Sequence, residues 1–225
     1  MMDVIAGSGA LVGLTDGQAA GRIIQLAGLL TVLSLAPGLL VTVTSFTRIV
    51  IALSFLRSGL GLPSTPSNLI VIALALFMTG FIMAPAFETA WRDGVLPLQE
   101  NRIDEETALA RIAEPFRTFM SANVRGEELA LFEDLAGEAA HADGPVAYRI
   151  LVPAFLVSEL RRGFEIGFLV LLPFLVIDLV VATLTMSMGM MMLPPTVLSL
   201  PFKVLFFVLV DGWTLLVGSL VRSFA

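Results

Sequence analysis

With 225 residues, 57% hydrophobic and 14% charged, and a mean hydropathy of +0.93, the chain is far more apolar than a soluble globular protein, which runs near ~45–50% apolar and ~25% charged. Zero cysteines and the single His141 exclude a disulfide framework, a cysteine nucleophile and a thiolate or histidine-cluster metal site. The net charge of −6 is concentrated between Trp91 and Ile150, where twelve acidic residues outnumber six arginines, and the rest of the chain is balanced at seven of each sign.

In chain order, residues 1–21 read as a weakly helical or poorly ordered lead-in without the basic n-region of a secretory signal, the first basic residue being Arg22. Residues 22–91 read as a first helical hairpin. Its apolar segments run from Ile23 to about Phe55, broken at Pro37-Gly38, and from Leu69 to about Phe87. The second suits one crossing of a ~30 Å bilayer core, and the first is too long for a simple span. The linker between them, Arg57 to Asn68, is rich in Pro, Gly and Ser. With Arg48 and Arg57 nearby, the positive-inside tendency puts this linker in the cytoplasm and the acidic insert outside.

Residues 92–149 form that insert, a small extracytoplasmic helical unit. Asp104 is placed to cap a helix whose first turn holds Glu105 and Glu106, which suits the helix dipole. Leu109, Ile112, Phe116 and Phe119 follow at helical spacing, with Pro115 expected to separate or bend the stretch. A second helix is expected over Glu127 to Ala140, with Leu129, Phe132 and Leu135 on one side. His141 reads as a surface residue, and Met78, Met83 and Met120 as packing.

Residues 150–225 form a second hairpin, with apolar segments Ile150 to Leu193 and Thr196 to Phe224. The first is too long and too polar for a single lipid-exposed span, since it carries Pro153, Glu159, Arg161, Arg162, Glu165, Pro173 and Asp178. Glu159 and Arg162 are i,i+3 and Arg161 and Glu165 are i,i+4, so each pair can meet on one face. Asp178 has no basic residue within a turn, and Lys203 and Asp211 lie about 12 Å apart along a helix. Asp178, Lys203 and Asp211 therefore need partners on other helices or other chains. The proline turns of the two hairpins, Gly61 to Pro66 and Met192 to Thr196, echo one another too briefly to establish a repeat.

Five of the ten methionines, Met186, Met188, Met190, Met191 and Met192, fall within seven residues just before Pro194-Pro195. The two prolines are expected to stop the helix and form the loop. Such a cluster reads either as gap-filling core or lipid-facing packing, or as a deformable seal, because the thioether chain moulds to irregular shapes. The sequence holds no HExxH, GxSxG or Walker-type loop. Ile177-Asp178-Leu179 and Val210-Asp211-Gly212 lack the flanking pattern of an intramembrane aspartyl protease. No catalytic residue, cofactor, metal or nucleic-acid partner is expected.

The stretch Thr44-Ser45-Phe46-Thr47-Arg48-Ile49 resembles the first-hairpin signature of the FliP family of flagellar type III export-gate proteins. So do Ala73 to Thr79 through Pro85, Pro115 to Met120, Leu129 to Phe132 and Val152 to Leu160. The most specific matches are Pro173 to Ala182, Met188 to Pro195, Ser199 to Lys203 and Phe207 to Trp213. The resemblance runs from about Ile24 to Phe224. It implies a multi-pass inner-membrane subunit of the flagellar basal body, with proline-broken helices, that assembles as a pentamer with FliQ and FliR into a helical pore. FlhA, FlhB and, in many species, FliO complete or assist that apparatus. The gate passes unfolded flagellar subunits, driven by proton motive force and an associated ATPase. The methionine loop supplies the family's pore gasket, a role that falls here on Met190, Met191 and Met192, with Met186 and Met188 beside them. The alternatives are the injectisome counterpart within the same superfamily, an independent channel or transporter, and the protease.

Overall fold

The computed structural model describes residues 30, 34, 38–62, 65–137, 145–189 and 194–224. Two units separate, Met1–Leu40 and Val41–Ala225. In the first, residues 30, 34 and 38–40 are described, and they are helical. The lead-in, residues 23–29, 31–33 and 35–37 of the first apolar segment, including the Pro37 of its expected break, His141 and Met190 to Met192 lie outside the described residues.

The second unit is helical throughout its regular elements: α1 (Phe46–Leu60), α2 (Asn68–Ala90), a π-helical turn (Trp91–Val95), α3 (Leu96–Gln99), α4 (Glu105–Asn123), α5 (Gly126–Ala136), α6 (Tyr148–Ser187), α7 (Pro195–Leu209) and α8 (Gly212–Arg222). α1 and α2 form one hairpin, α6 and α7 the other, and α4 and α5 make the insert. By length and composition, Asn68–Gln99 and the 40-residue α6 can each cross a membrane, and α7 with α8 forms a third candidate bent by 62°. At 1.5 Å per residue α6 is roughly 60 Å long, about twice a bilayer core. α1, at 15 residues, is too short for a span.

The breaks do not fall where the prolines suggested. Pro85, Pro115, Pro153, Pro173 and Pro201 all lie inside continuous helices. Pro115 thus does not divide α4. Packed neighbours and local side chains can satisfy the carbonyls a proline frees. Nor do Pro194 and Pro195 end α6. That helix stops at Ser187, and Gly189, at φ +72°, closes it in the left-handed region, its N–H donating to the Met186 carbonyl at 3.1 Å. Pro195 instead opens α7, where its fixed φ suits the first helical position. Within the insert, Asp104 is the N-cap residue of α4 as expected, whereas α5 ends at Ala136. Leu109 and Leu135 are exposed, and Ala108 and Met120 are buried instead.

The core forms where α1 lies against α6. Ile49, Ala52, Leu53, Leu56 and Leu60 of α1 pack with Phe174 of α6, with Val71, Ala75 and Met78 of α2, and with Phe207, Leu216 and Leu220 of α7 and α8. Small residues on α6 permit the close approach. A methyl carbon at Gly163 would lie 3.1 Å from Ile51, and one at Gly167 2.5 Å from the Phe55 ring. Helices that pair through packing rather than hydrophobic exclusion characteristically meet at small residues four apart. Met78, Met83 and Met120 are buried, consistent with packing.

The insert is clamped to α6 by charge. Arg161 donates to Glu127 at 2.8 Å, to Glu128 at 3.0 Å and to Glu165 at 3.3 Å, and Arg125 donates to Glu165 at 3.0 Å. The Arg161–Glu165 contact is the i,i+4 pair that the sequence spacing suggests. Desolvation pushes the Glu128 carboxyl up, but the hydrogen bond from Arg161, a backbone amide and the Arg125 charge outweigh it and hold the group below the ordinary carboxylate range.

Two predictions follow from this packing. Gly167→Val should destabilise the folded chain by roughly 1–3 kcal/mol through overpacking, read as a lower melting temperature in detergent. Gly80→Ala, where nothing lies within 4 Å, should leave the melting temperature unchanged or slightly raised. Because Glu128 is depressed in the folded state, its stabilisation is fully present above its unfolded pKa and disappears as pH falls through the lower folded value. The protection factors of the α5 amides, normalised to the intrinsic exchange rate at each pH, should therefore fall as pH drops below the ordinary glutamate range, and Glu128→Gln should remove that pH step.

Candidate functional site

Six polar residues were expected to be buried between helices: Arg48, Glu159, Arg162, Asp178, Lys203 and Asp211. The structure brings four of them into two separate pairs. On α1, Arg48 is wholly buried, as is Glu159 on α6. The guanidinium grips the carboxylate through two nitrogens, Nε to Oε2 at 3.0 Å and Nη2 to Oε1. Its Nη1 donates to the carbonyl of Ser223 at 2.8 Å and to that residue's hydroxyl at 2.9 Å. The Phe224 ring lies 3.6 Å from the guanidinium carbon and stacks on Phe119 of α4, with ring centroids 5.9 Å apart. A planar fork matches a carboxylate bidentately in a way a lysine cannot. One arginine therefore joins α1, α6 and the residues after α8, with α4 reached through Phe224. The i,i+3 neighbour Arg162 is half-buried and is not Glu159's hydrogen-bond partner. The tie from Ser223 and Phe224 carries no sequence signal beyond ordinary C-terminal residues.

The second pair lies nineteen residues further along α6, roughly 28 Å by helical rise. Lys203 on α7 donates to Asp178 Oδ2 at 2.6 Å, and the Ser199 hydroxyl donates to Oδ1 at 2.5 Å. Ser199 and Lys203 are buried, and the Asp178 side chain is 30% exposed. Asp178 and Lys203 thus find each other across helices of the same chain. Lys203 Nζ also approaches the left-handed Gly61 turn after α1, 3.7 Å from where a methyl carbon would sit.

Asp211 takes no part in either pair. It is exposed and adopts φ +50°, ψ +50° at the bend between α7 and α8. Aspartate tolerates this region better than most residues, and the next position requires glycine, since a methyl carbon at Gly212 would lie 2.2 Å from the Phe207 ring. Asp211 thus shapes the bend between α7 and α8. Asp178 and Asp211 share no hydrogen bond, so the proton-sharing dyad of an aspartyl protease is not formed.

Of the five candidate gasket residues, Met186 and Met188 are described. They are 66% and 70% exposed at the end of α6, which argues against a packing role within the chain. Pro194 and Pro195 lead into α7 on the other side of the loop.

Among the described residues, two helices long and apolar enough to cross a membrane, a bent third candidate and the exposed Met186 and Met188 at the end of α6 define an all-helical, membrane-embedded protein. The model of the FliP family matches residues 29–220. Flagellar biosynthetic protein FliP of Agrobacterium fabrum is 66% identical over 212 residues, covering 93% of this chain and 86% of that protein. Its counterpart in Caulobacter vibrioides is 49% identical over 226 residues, covering 99% and 82%, and that in Bacillus subtilis is 48% identical over 211 residues, covering 93% and 96%. The chain belongs to the FliP family.

Phe224→Leu keeps most of the apolar volume over Arg48 and removes the ring. It should lower stability by about 1–2 kcal/mol, the range of a desolvated cation–π contact, in urea unfolding of the detergent-solubilised protein.

Proposed function

We propose that this chain is a core subunit of the flagellar type III export gate in the bacterial inner membrane, and that Met186, Met188 and Met190 to Met192 form the seal of its pore. The observation that carries this reading is the exposure of Met186 and Met188 at the tip of the α6–α7 hairpin, in a chain whose relatives are flagellar biosynthetic proteins by name. Assembly as a pentamer with FliQ and FliR, beside FlhA, FlhB and FliO, is the corresponding reading of its partners. The exposed apolar side chains of α2, such as Phe77 and Phe81, and of α6 and α7, such as Leu179 and Leu209, are suited to lipid or to neighbouring subunits.

The mechanism follows from side-chain physics. Converging thioether chains leave no polar group for water or ions, so a narrow ring of them closes by dewetting. The same unbranched chains re-pack around an extended polypeptide of varied sequence, which a rigid aliphatic ring cannot do. Residues 92–149 are the extracytoplasmic part in this reading, and the Arg57 linker is cytoplasmic. Flagellar rather than injectisome substrates are favoured by the flagellar names of the relatives.

Replacing Met190, Met191 and Met192 together by Ala should raise small-ion leak through the assembled gate severalfold while the subunit still assembles. The check is conductance of the purified complex in planar bilayers, and wild-type conductance in the triple variant would refute the gasket.

A further inference from the structure

The cleft that α6, α7 and α8 form together is polar at one end only. Its volume is about 490 Å³, and its walls include Val170 and Pro173 of α6, Phe206 of α7, Val210 just beyond it and Leu215 of α8. The polar side chains that line it are Ser219 and Arg222, three residues apart on one face of the last turns of α8. From Gly212, at the apolar end, to Arg222 the helix rises roughly 15 Å. That is half of a ~30 Å bilayer core, the depth of one leaflet. The cleft faces outward, with Leu215 57% exposed on its wall. Arg222 is exposed too, and its guanidinium is engaged through one atom: Nε donates to the Gly218 carbonyl at 3.0 Å. A methyl carbon at Gly218 would lie 3.0 Å from Nη2, so the group lies back along α8. Among the described residues Nη1 and Nη2 meet no carboxylate, and none lines the cleft.

We infer that this cleft binds an anionic phospholipid, with one acyl chain along the apolar wall and the phosphate on Arg222. The site depends on membrane embedding and not on the gate reading. Its polarity runs as a phospholipid's does, hydrocarbon for the depth of a leaflet and then a cation. A guanidinium presents paired, coplanar donors that match a phosphate. The Ser219 hydroxyl already donates to the Leu216 carbonyl at 2.8 Å, so Arg222 is the group that recognises the charge. An ethanolamine headgroup would bring an ammonium that finds no carboxylate on the cleft, whereas basic pockets between membrane helices take anionic headgroups. The volume also suits a lipid chain better than a partner helix. A helix 10–12 Å across would occupy roughly 1,200 Å³ or more over the same length, so it could rest only across the mouth of the cleft.

The full chain, with any subunits that co-purify, is placed in nanodiscs of phosphatidylcholine containing a minor fraction of phosphatidylglycerol with the same acyl chains, and the lipid retained on the protein is read by native mass spectrometry. The wild type should retain phosphatidylglycerol in preference to phosphatidylcholine. Arg222→Gln should lower that preference about tenfold, the lower end of what a hydrogen bond to a charged group contributes, and leave phosphatidylcholine retention unchanged. Arg222→Lys should keep part of the preference, and Arg102→Gln, at an exposed arginine of the insert, all of it. Equal retention of the two lipids by the wild type, or an undiminished preference in Arg222→Gln, would overturn the site. In cells, a photoreactive diazirine side chain in place of Leu215 should give a phospholipid adduct. Crosslinking to a protein subunit in its place would overturn the lipid by showing that a partner covers the cleft.

Discussion

α6 can carry Glu159 and Asp178 through an apolar protein only if each is met by a cation on a neighbouring helix. Burying an ionised group without a partner costs several kcal/mol even after relaxation. The Arg48–Glu159 pair has the most stringent form of this requirement, because neither side chain retains exposure to solvent. Its satisfaction dictates where α1 lies. Once Arg48 is fixed against Glu159, the following turns of α1 run along α6 past Gly163 and Gly167, and the core residues from Ile49 to Leu60 close over Phe174. The same arginine gathers in Ser223 and Phe224, so α8 must fold back towards the level at which α1 begins. The left-handed bend at Asp211-Gly212 supplies the change of direction.

The two ion pairs divide the labour along α6. The wholly buried one is tied into the fold from several sides and sits beside the salt-bridge cluster that fastens the insert. The other is partly exposed and, among the described side-chain pairs, is the one that joins α6 to α7.

Much of this was legible in the residues. The over-long third segment, the charges it cannot expose to lipid, the capped start of α4 and the need of Asp178 and Lys203 for partners on other helices all follow from spacing and from the cost of buried charge. Other features were not, for physical reasons. Proline was read as a breaker, yet in tightly packed apolar helices neighbouring groups absorb its missing hydrogen bond, and the stops fall at Gly189 and at Asp211-Gly212. Glu159 has a cation one turn away in sequence, but the bidentate geometry of Arg48 prevails over proximity, and no local pattern reveals a contact spanning 111 residues. The glycines of α6 become informative only when the ring of Phe55 is seen against them.

The central claim is that the Arg48–Glu159 pair is an obligate unit around which α1, α6 and the end of α8 are arranged. A double-mutant cycle on unfolding in detergent tests it most directly. Arg48→Met and Glu159→Leu should each cost about 3–5 kcal/mol, because each strands one buried charge, and the double variant should be more stable than either. Costs that simply add in the double variant would contradict the account.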